Sequence, residues 1–333
     1  MVKVVTIGSV CQDIFFPTNE GVVLETPEDV LSQKKLTFEL GAKYAIEQRY
    51  ETLGGNSVNV AVGLAKLEIN VTAYTTIGDD AVGKWIVKEL KKTGVGMTAV
   101  TVEYDCGSDL SALVVDEKSS DRVIFSSHVA NKKLKFDIDR IGNPEWIFIG
   151  DLSGDWQKVT DDILFFAKKK HVHLAFNPRQ KTIHDDIKKI IQTVSNCEIL
   201  FVNKDEAMEI VKGCSRSDLH ELLNEEEYLL KTLHELGARI VALTDGARGA
   251  WAYDGIAVLH VSAIMQKAVD STGAGDAFTS GFFAAHLKGR NLMTALKWGV
   301  ANSSNSVTEY GGQKGLLAQE QINSAVAQIK TEI

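Results

Sequence analysis

Apolar residues along this chain keep two rhythms. Short continuous runs, rich in β-branched and aromatic side chains, recur at residues 2–10, 71–77, 147–150, 172–176, 199–202 and 239–243. Runs of that length and composition predict strands buried on both faces. Between them the spacing changes to that of helices. Val60, Leu64 and Leu67 fall at i, i+4 and i+7, as do Phe278, Phe282 and Ala285, so each set packs one apolar face. Further helices are expected over 81–93, with Trp85, Val87 and Leu90 inward, and over 156–170, 182–194, 219–236 and 292–302. Strands separated by helices of this length imply right-handed crossovers and a mostly parallel central sheet with helices on both faces, an α/β fold.

Two stretches break the alternation. Residues 17–50 carry no helical period, and Lys35 to Tyr44 reads as strand-like. A stretch that long without helix is either irregular or a small separate sheet. Residues 110–115 and 122–127 flank a polar turn, Asp116 to Asp121, as a hairpin. A second hairpin is expected around Asp254-Gly255.

With 333 residues and 44% of them hydrophobic, the chain has material for a substantial core. A net charge of -8 and a pI near 5.6 argue against a surface built for nucleic acid or anionic membrane. No apolar run approaches a membrane span. The scattered cysteines Cys11, Cys106, Cys197 and Cys214 form no Cys-x-x-Cys pair, which fits a reduced, cytoplasmic protein.

The chemistry concentrates in Asp270-Ser271-Thr272-Gly273-Ala274-Gly275-Asp276-Ala277-Phe278. Two glycines open a helix here, at roughly 1 kcal/mol each against alanine in a helix interior. That cost makes sense where the backbone needs freedom or must let something approach. A helix N-terminus offers unpaired N–H groups and partial positive charge, a seat for an anion. Asp276, in the same turn, is placed to take a proton from an attacking hydroxyl if that anion is a phosphoryl group in transit. The bland alternative is a helix entry with an acidic N-terminal charge. No Gly-x-x-x-x-Gly-Lys-Ser/Thr string occurs, and Phe278 stands where a dinucleotide fingerprint needs its third glycine. A P-loop is therefore absent and nicotinamide binding disfavoured.

Other candidates stand at element ends. Asp13 follows the first strand, on the edge where open α/β sheets bind ligands. Gly54-Gly55-Asn56-Ser57-Val58-Asn59 feeds a helix, which read alone is an Asn-capped start. Asn203-Lys204-Asp205-Glu206 reads as a capping box variant.

The nine-residue string closely resembles the C-terminal signature of the ribokinase-like carbohydrate and nucleoside kinases, the PfkB family. Gly54-Gly55-x-x-x-Asn59 resembles that family's N-terminal signature, and at least four motifs recur in the family's order across essentially the whole chain. The resemblance implies a single kinase domain over residues 1–333, with a small β lid from segments of about 14–52 and 108–127. It implies Asp276 as general base, with the N–H groups of Gly273, Ala274 and Gly275 as the phosphoryl hole. Asp13, Gly54, Gly55, Asn56 and Asn59 would hold substrate. Asn131, after Val129 and Ala130, and Asn177 and Arg179, in a partly matched motif, would contact it too. Asn203, Glu206, Thr244, Gly246, Gly249 and Asn302 would serve ATP and Mg²⁺, with Asn302 near adenine. Asp270 with carbonyls around Thr272, Val307 and Gly312 would hold a monovalent cation such as K⁺.

The reaction implied is γ-phosphoryl transfer from ATP to a primary hydroxyl of a small sugar such as ribose or fructose. Asn56 stands where kinases of this family acting on phosphorylated sugars often carry Lys, which points to an uncharged acceptor. A nucleoside kinase of the same fold is the rival, decided by whether Phe15, Phe16 or Tyr44 forms an aromatic surface under the lid. A non-catalytic ligand sensor is the rival from another class, and the intact Asp276 argues against it. A homodimer through the lid is the expected assembly.

Overall fold

A strand in the middle of a parallel sheet has to satisfy two cores, one on each face, and the short apolar runs do this residue by residue. The computed structural model describes residues 2–26, 34–119, 121–214, 217–327 and 329. Among these, nine strands form one sheet in the order β15 (Val258–Val261), β14 (Ala250–Tyr253), β13 (Ile240–Thr244), β12 (Ile199–Asn203), β11 (His173–Phe176), β10 (Trp146–Ile149), β1 (Lys3–Ile7), β6 (Asn70–Gly78), β7 (Gly96–Glu103). Pairing is parallel from β13 to β7 and antiparallel at β14 and β15. Along β10, Trp146 and Phe148 join one hydrophobic cluster while Ile147 and Ile149 join the other.

One cluster lies under α1 (Asn56–Lys66), α2 (Ala81–Leu90), α9 (Ala274–Leu287), α10 (Leu292–Ser306) and α11 (Gln319–Ala327). The other lies under α3 (Ile138–Ile141), α4 (Trp156–Lys170), α5 (Gln180–Asp185), α6 (Ile187–Val194), α7 (Lys204–Gly213) and α8 (Glu226–Glu235). The chain starts at β1, extends to β6 and β7 on one side, and returns to β10 on the other. That reversal beside β1 is the crevice where such sheets bind ligands.

Several elements differ from the sequence reading. The helix expected over 182–194 breaks at Asp186, whose carboxylate accepts from Lys189 N at 3.0 Å and so restarts the helix as α6. The helix expected over 219–236 starts at Glu226, behind 3₁₀ turns over Ser217–Asn224. In α2 the fully buried positions are Ile86 and Leu90, with Trp85 and Val87 at the core's margin. α9 presents more than one apolar face: Ala277 through Ala285 are all buried. The reason is its place between the sheet, α1 and α10.

A second sheet runs β5 (Tyr50–Gly54), β2 (Cys11–Thr18), β8 (Leu110–Asp116), β9 (Arg122–Ser127), with β2 and β8 parallel and the outer pairs antiparallel. It takes in Cys11 to Asp13 and Leu53 to Gly54, so it is wider than the expected lid segments. The strand-like Lys35–Tyr44 is shorter than expected: β4 (Lys34–Thr37) pairs with β3 (Val22–Glu25) and no strand covers 38–44. Residues 27–33 of the stretch without helical period, and Ser120 of the polar turn, lie outside the described residues.

The approach of α1 to α9 decides where the site forms. A Cβ at Gly63 would fall 2.1 Å from Ser280 Oγ, so only glycine lets the two helices run this close. Gly63→Val is expected to lower stability by about 1–3 kcal/mol through overpacking and to push the start of α1 away from α9. Urea denaturation reads the first effect. An unchanged midpoint would show that the helix pair does not depend on this contact.

Candidate active site

Where β1, β10, β11, β12 and β13 end, a cavity of about 240 Å³ opens against the first turns of α1 and α9. Gly273, at φ 75, precedes α9 in the left-handed region, and a Cβ there would lie 2.6 Å from Gly312 Cα. Asp276 follows in the first turn. Its Oδ1 accepts from Asn56 Nδ2 at 2.6 Å and its Oδ2 from Asn59 Nδ2 at 2.8 Å. Burial pushes the Asp276 carboxyl up to about 6, the two amides hold it down, and the Asp151 and Asp13 carboxyls add to the rise. Each carboxylate oxygen thus meets an amide donor rather than a cation.

Asn56 does not cap α1. Gly55, at φ 95, is the cap residue, and no side chain caps this helix. The Asn56 amide instead donates to Asn177 Oδ1 at 2.8 Å as well as to Asp276, and accepts from Asp151 N at 3.1 Å. Asn177 in turn donates to Phe201 O at 2.9 Å. One α1 amide therefore joins the ends of β10 and β11 to the first turn of α9. Of the three N–H groups expected to seat an anion, that of Ala274 donates to Ser271 O at a long 3.3 Å. Gly275 has open space where a Cβ would stand.

Asp13 sits in the second sheet rather than at the end of the first strand. It pairs with Thr52 and Ser111, is buried, and accepts from the Cys11 thiol at 3.2 Å. Burial raises its carboxyl above the usual range. Gly54 is what makes room: a Cβ there would be 2.0 Å from Asp13 Oδ2. Asn131 is fully buried behind the site wall, its Nδ2 3.4 Å from Asp151 O, so the structure does not bring it to the cavity.

Arg179 lines the cavity and is held from two sides. Its Nη1 donates to Asp151 Oδ1 at 3.1 Å and its Nη2 lies 3.4 Å from His128 Nε2. His128 Nδ1 stands 3.1 Å from the buried Asp109 carboxylate, which also accepts from Val129 N and Asn131 N. Sequence reasoning missed Asp109, His128 and Asp151. Asp151 carried a usable signal, an acid directly after a buried strand. Asp109 and His128 carried none.

On the other side Asn203 and Glu206 form the expected capping box: Glu206 N donates to Asn203 Oδ1 at 2.9 Å and Asn203 N to Glu206 Oε2 at 3.0 Å. Glu206 also lines the cavity, and burial pushes it up to about 7. A second cavity of about 120 Å³ shares Thr244, Gly275 and Phe278 with the first and continues past Gly246 and Gly249. Its floor includes Ser303 and Ser304. Asn302, expected near adenine, is instead fully buried. Its amide donates to Ala277 O and Ser280 Oγ and accepts from Leu317 N, tying α9 to α10.

The loop expected to hold a monovalent cation is already spoken for. Asp270 Oδ1 accepts from Thr272 N and Oγ1, and Oδ2 accepts from Gly311 N. Val307 O receives the amides of Val269 and Asp270. Arg122 of the second sheet stands with Nε 4.0 Å from Asp270 Oδ1 and donates from Nη1 to Ser271 Oγ at 2.6 Å. The Asp270 carboxylate and the Val307 carbonyl thus accept hydrogen bonds from the protein itself.

The model of the pfkB family carbohydrate kinases matches residues 3–319. The chain belongs to the PfkB family. Among curated PfkB relatives, an ATP-dependent 6-phosphofructokinase of Thermoanaerobacterium thermosaccharolyticum is 27% identical over 89% of this chain and 93% of its own length. A deoxyribokinase of Salmonella typhi is 27% identical over 96% of this chain and 97% of its own. A solved structure of a putative ribokinase II from E. coli, in complex with ATP and Mg²⁺, superposes with a TM-score of 0.80 at 18% identity, covering 98% of this chain and 100% of that one. The fold is thus ribokinase-like, and this PfkB chain is an ATP-dependent kinase for the hydroxyl of a sugar or nucleoside.

The burial of Asp276 has a consequence that needs no substrate. Its carboxyl is raised from 3.8 to about 6 in the native state, so the native protein holds that proton more tightly than the unfolded chain. Stability from this group is present below about pH 4 and lost as pH rises through about 6. Asp276→Asn lacks the titration. The variant is expected to gain stability relative to the parent across that window and to keep a constant margin above it, read by urea denaturation at a series of pH values. Parallel pH curves for the two proteins would contradict the raised carboxyl.

Proposed function

We propose that this kinase transfers the γ-phosphoryl group of ATP to a primary hydroxyl of a small uncharged sugar, with Asp276 as general base. The observation that carries the choice of acceptor is the charge of the cavity wall. One guanidinium, Arg179, faces three carboxyl groups, Asp151, Glu206 and Asp276, and is already paired with the first. A phosphorylated sugar would need free cationic charge there. Asn56, at the position that suggested a neutral acceptor, is an amide committed to three neighbours.

Asp13, Gly54, Gly55, Asn56, Asn59, Asn177 and Arg179 would orient the sugar, with its reacting hydroxyl toward Asp276. Thr244, Gly246 and Gly249 suit the nucleotide phosphates: Gly246, at φ 48, has open space beside its backbone. Ser303 and Ser304 would take the place expected of Asn302. Glu206, with Asn203, would steer magnesium through water, since Mg²⁺ keeps much of its water shell. When bound, Mg²⁺ and ATP supply the phosphoryl group and part of the neutralising charge. The Gly273–Gly275 backbone stabilises the phosphoryl oxygens while Asp276 takes the proton. No step runs through a monovalent cation.

The rival nucleoside reading asked for aromatic rings free to stack a base. Phe15 packs on Tyr310 at 5.7 Å between ring centres, Tyr310 stacks on Tyr50 at 4.5 Å, and Tyr44 packs edge-on against Phe38. Phe15 and Tyr44 are thus engaged with other rings, which supports the sugar, while Phe16, the third ring named for a base, is half-buried. The exposed Val123, Ile124 and Phe125 of β9 support a homodimer through the second sheet, the lid in this reading. The four cysteines, none joined in a disulfide among the described residues, suit a reducing, cytoplasmic setting.

The test is ADP release from ATP and Mg²⁺ across ribose, fructose, 2-keto-3-deoxygluconate, adenosine and inosine, and the phosphorylated forms of ribose and fructose. One neutral sugar is expected to give turnover. Asp276→Ala is expected to lose about 10²–10⁴-fold in kcat while binding ATP within a few-fold of the parent, and parental kcat should fall about tenfold per pH unit below about 6. Turnover confined to phosphorylated sugars would overturn the acceptor reading, and turnover surviving in Asp276→Ala the base assignment.

A further inference from the structure

Asp276 Oδ2 receives its amide hydrogen only while Asn59 is turned the right way round. An asparagine side chain presents a donor on one side and an acceptor on the other, and the two differ little in shape. With the amide reversed, the Asn59 oxygen would face the Asp276 carboxylate. The acceptor-only Asp276 carboxylate favours the NH₂ side, and the other partner given to the Asn59 amide among the described residues is Gln313, whose Nε2 donates to Asn59 Oδ1 at 2.9 Å and reinforces that orientation.

Gln313 is itself held in place. Lys66 Nζ, at the end of α1, donates to Gln313 O at 2.9 Å and to Leu316 O at 3.0 Å. Two residues before Gln313, Gly311 N donates to Asp270 Oδ2, and Gly312 packs against Gly273. Two residues after it, Gly315 O accepts from Asn305 Nδ2 at 2.8 Å. These contacts fix the backbone of the loop and so keep the Gln313 side chain within hydrogen-bond reach of the Asn59 oxygen.

We propose that Gln313 is a positioning residue for the phosphoryl-transfer step: its amide hydrogen claims the Asn59 oxygen and so keeps the Asn59 NH₂ group on Asp276. The proposal rests on the reading of Asp276 as the base. Gln313 touches neither substrate nor the reacting atoms and acts through Asn59 alone. Because Asn59's hydrogen bond is one of the two that hold the Asp276 carboxyl down, losing its orientation raises that carboxyl further and removes base from the population active near neutrality.

Two variants separate this role from plain packing. Gln313→Met keeps the length and loses the donor. Gln313→Glu keeps the shape and replaces the donor by an acceptor, which invites the Asn59 amide to turn round and put its oxygen on Asp276. Two readouts are taken: the titration of the Asp276 carboxyl by carbon-13 NMR in the ligand-free protein, identified by its loss in Asp276→Asn, and kcat against pH with the fastest acceptor of the panel. The midpoint is expected to rise by about half to one pH unit in Gln313→Met, a rate loss of about three- to tenfold on the acid limb, and further in Gln313→Glu, with KM for ATP unchanged in both. The added Glu charge raises the midpoint by itself, so the uncharged Gln313→Met decides. A midpoint that stays put in Gln313→Met would overturn the proposal. Asp276→Ala run beside them keeps the readings apart: if it retains turnover the base assignment fails, whereas if it is inactive and the Gln313→Met titration is unmoved, the positioning role alone fails.

Discussion

The site depends on a carboxyl group buried at the start of a helix and hydrogen-bonded through its side chain by neutral amides alone. A cationic partner would hold Asp276 ionised and make it a poor base, while a carboxyl left without donors in the same burial would stay protonated. Asn56 and Asn59 stand between these limits, and the result is a carboxyl poised at about 6. General-base chemistry near neutral pH asks for that range. In the proposed role of Asp276 as base, whatever brings two asparagines of α1 within 2.8 Å of a carboxyl more than two hundred positions along the chain serves the reaction.

Packing supplies that meeting. α1 and α9 approach because Gly63 leaves space for Ser280, and α9 stays in register because it is enclosed on all sides, with Asn302 of α10 bonded to Ala277 O one residue beyond the base. The same asparagine that the family resemblance assigned to adenine thus ties α10 to α9. A residue shared by a set of related chains at a fixed place need not touch ligand, since a fully satisfied buried amide is also a strong structural constraint.

The parallel strands and the two-sided core could be read from the apolar runs because a buried parallel strand has only one way to look, and the starts of α1, α7 and α9 followed from their glycines and the Asn203 cap. Gly54, Gly55, Gly273 and Gly275, with Asn59 and Asp276, also stood out in sequence, because glycines at a helix start leave a local mark. Asp109, His128 and Gln313 did not. Asp109 pairs with His128, His128 with Arg179 and Gln313 with Asn59, and no local pattern records an amide that bonds across 254 positions. The break at Asp186 was missed for a related reason. The apolar period runs through it, while the carboxylate that caps α6 looks like any surface acid.

The second sheet meets the catalytic loops at two separate places, and together they constrain how it can move. Arg122 reaches Ser271, two residues before the glycine that starts α9, and Phe15 and Tyr50 pack on Tyr310, three residues before Gln313. One contact bears on the anion seat and the other on the loop that sets the Asn59 amide. A displacement of this sheet must break both or drag both loops with it, because close-packed aromatic rings and a bonded guanidinium do not stretch. If the sheet opens to admit a sugar, the phosphoryl hole and the orientation of the base are disturbed in the same motion, and both are restored when it closes. Such coupling would leave the base fully formed only when the acceptor is covered, the state in which water is kept from competing for the phosphoryl group.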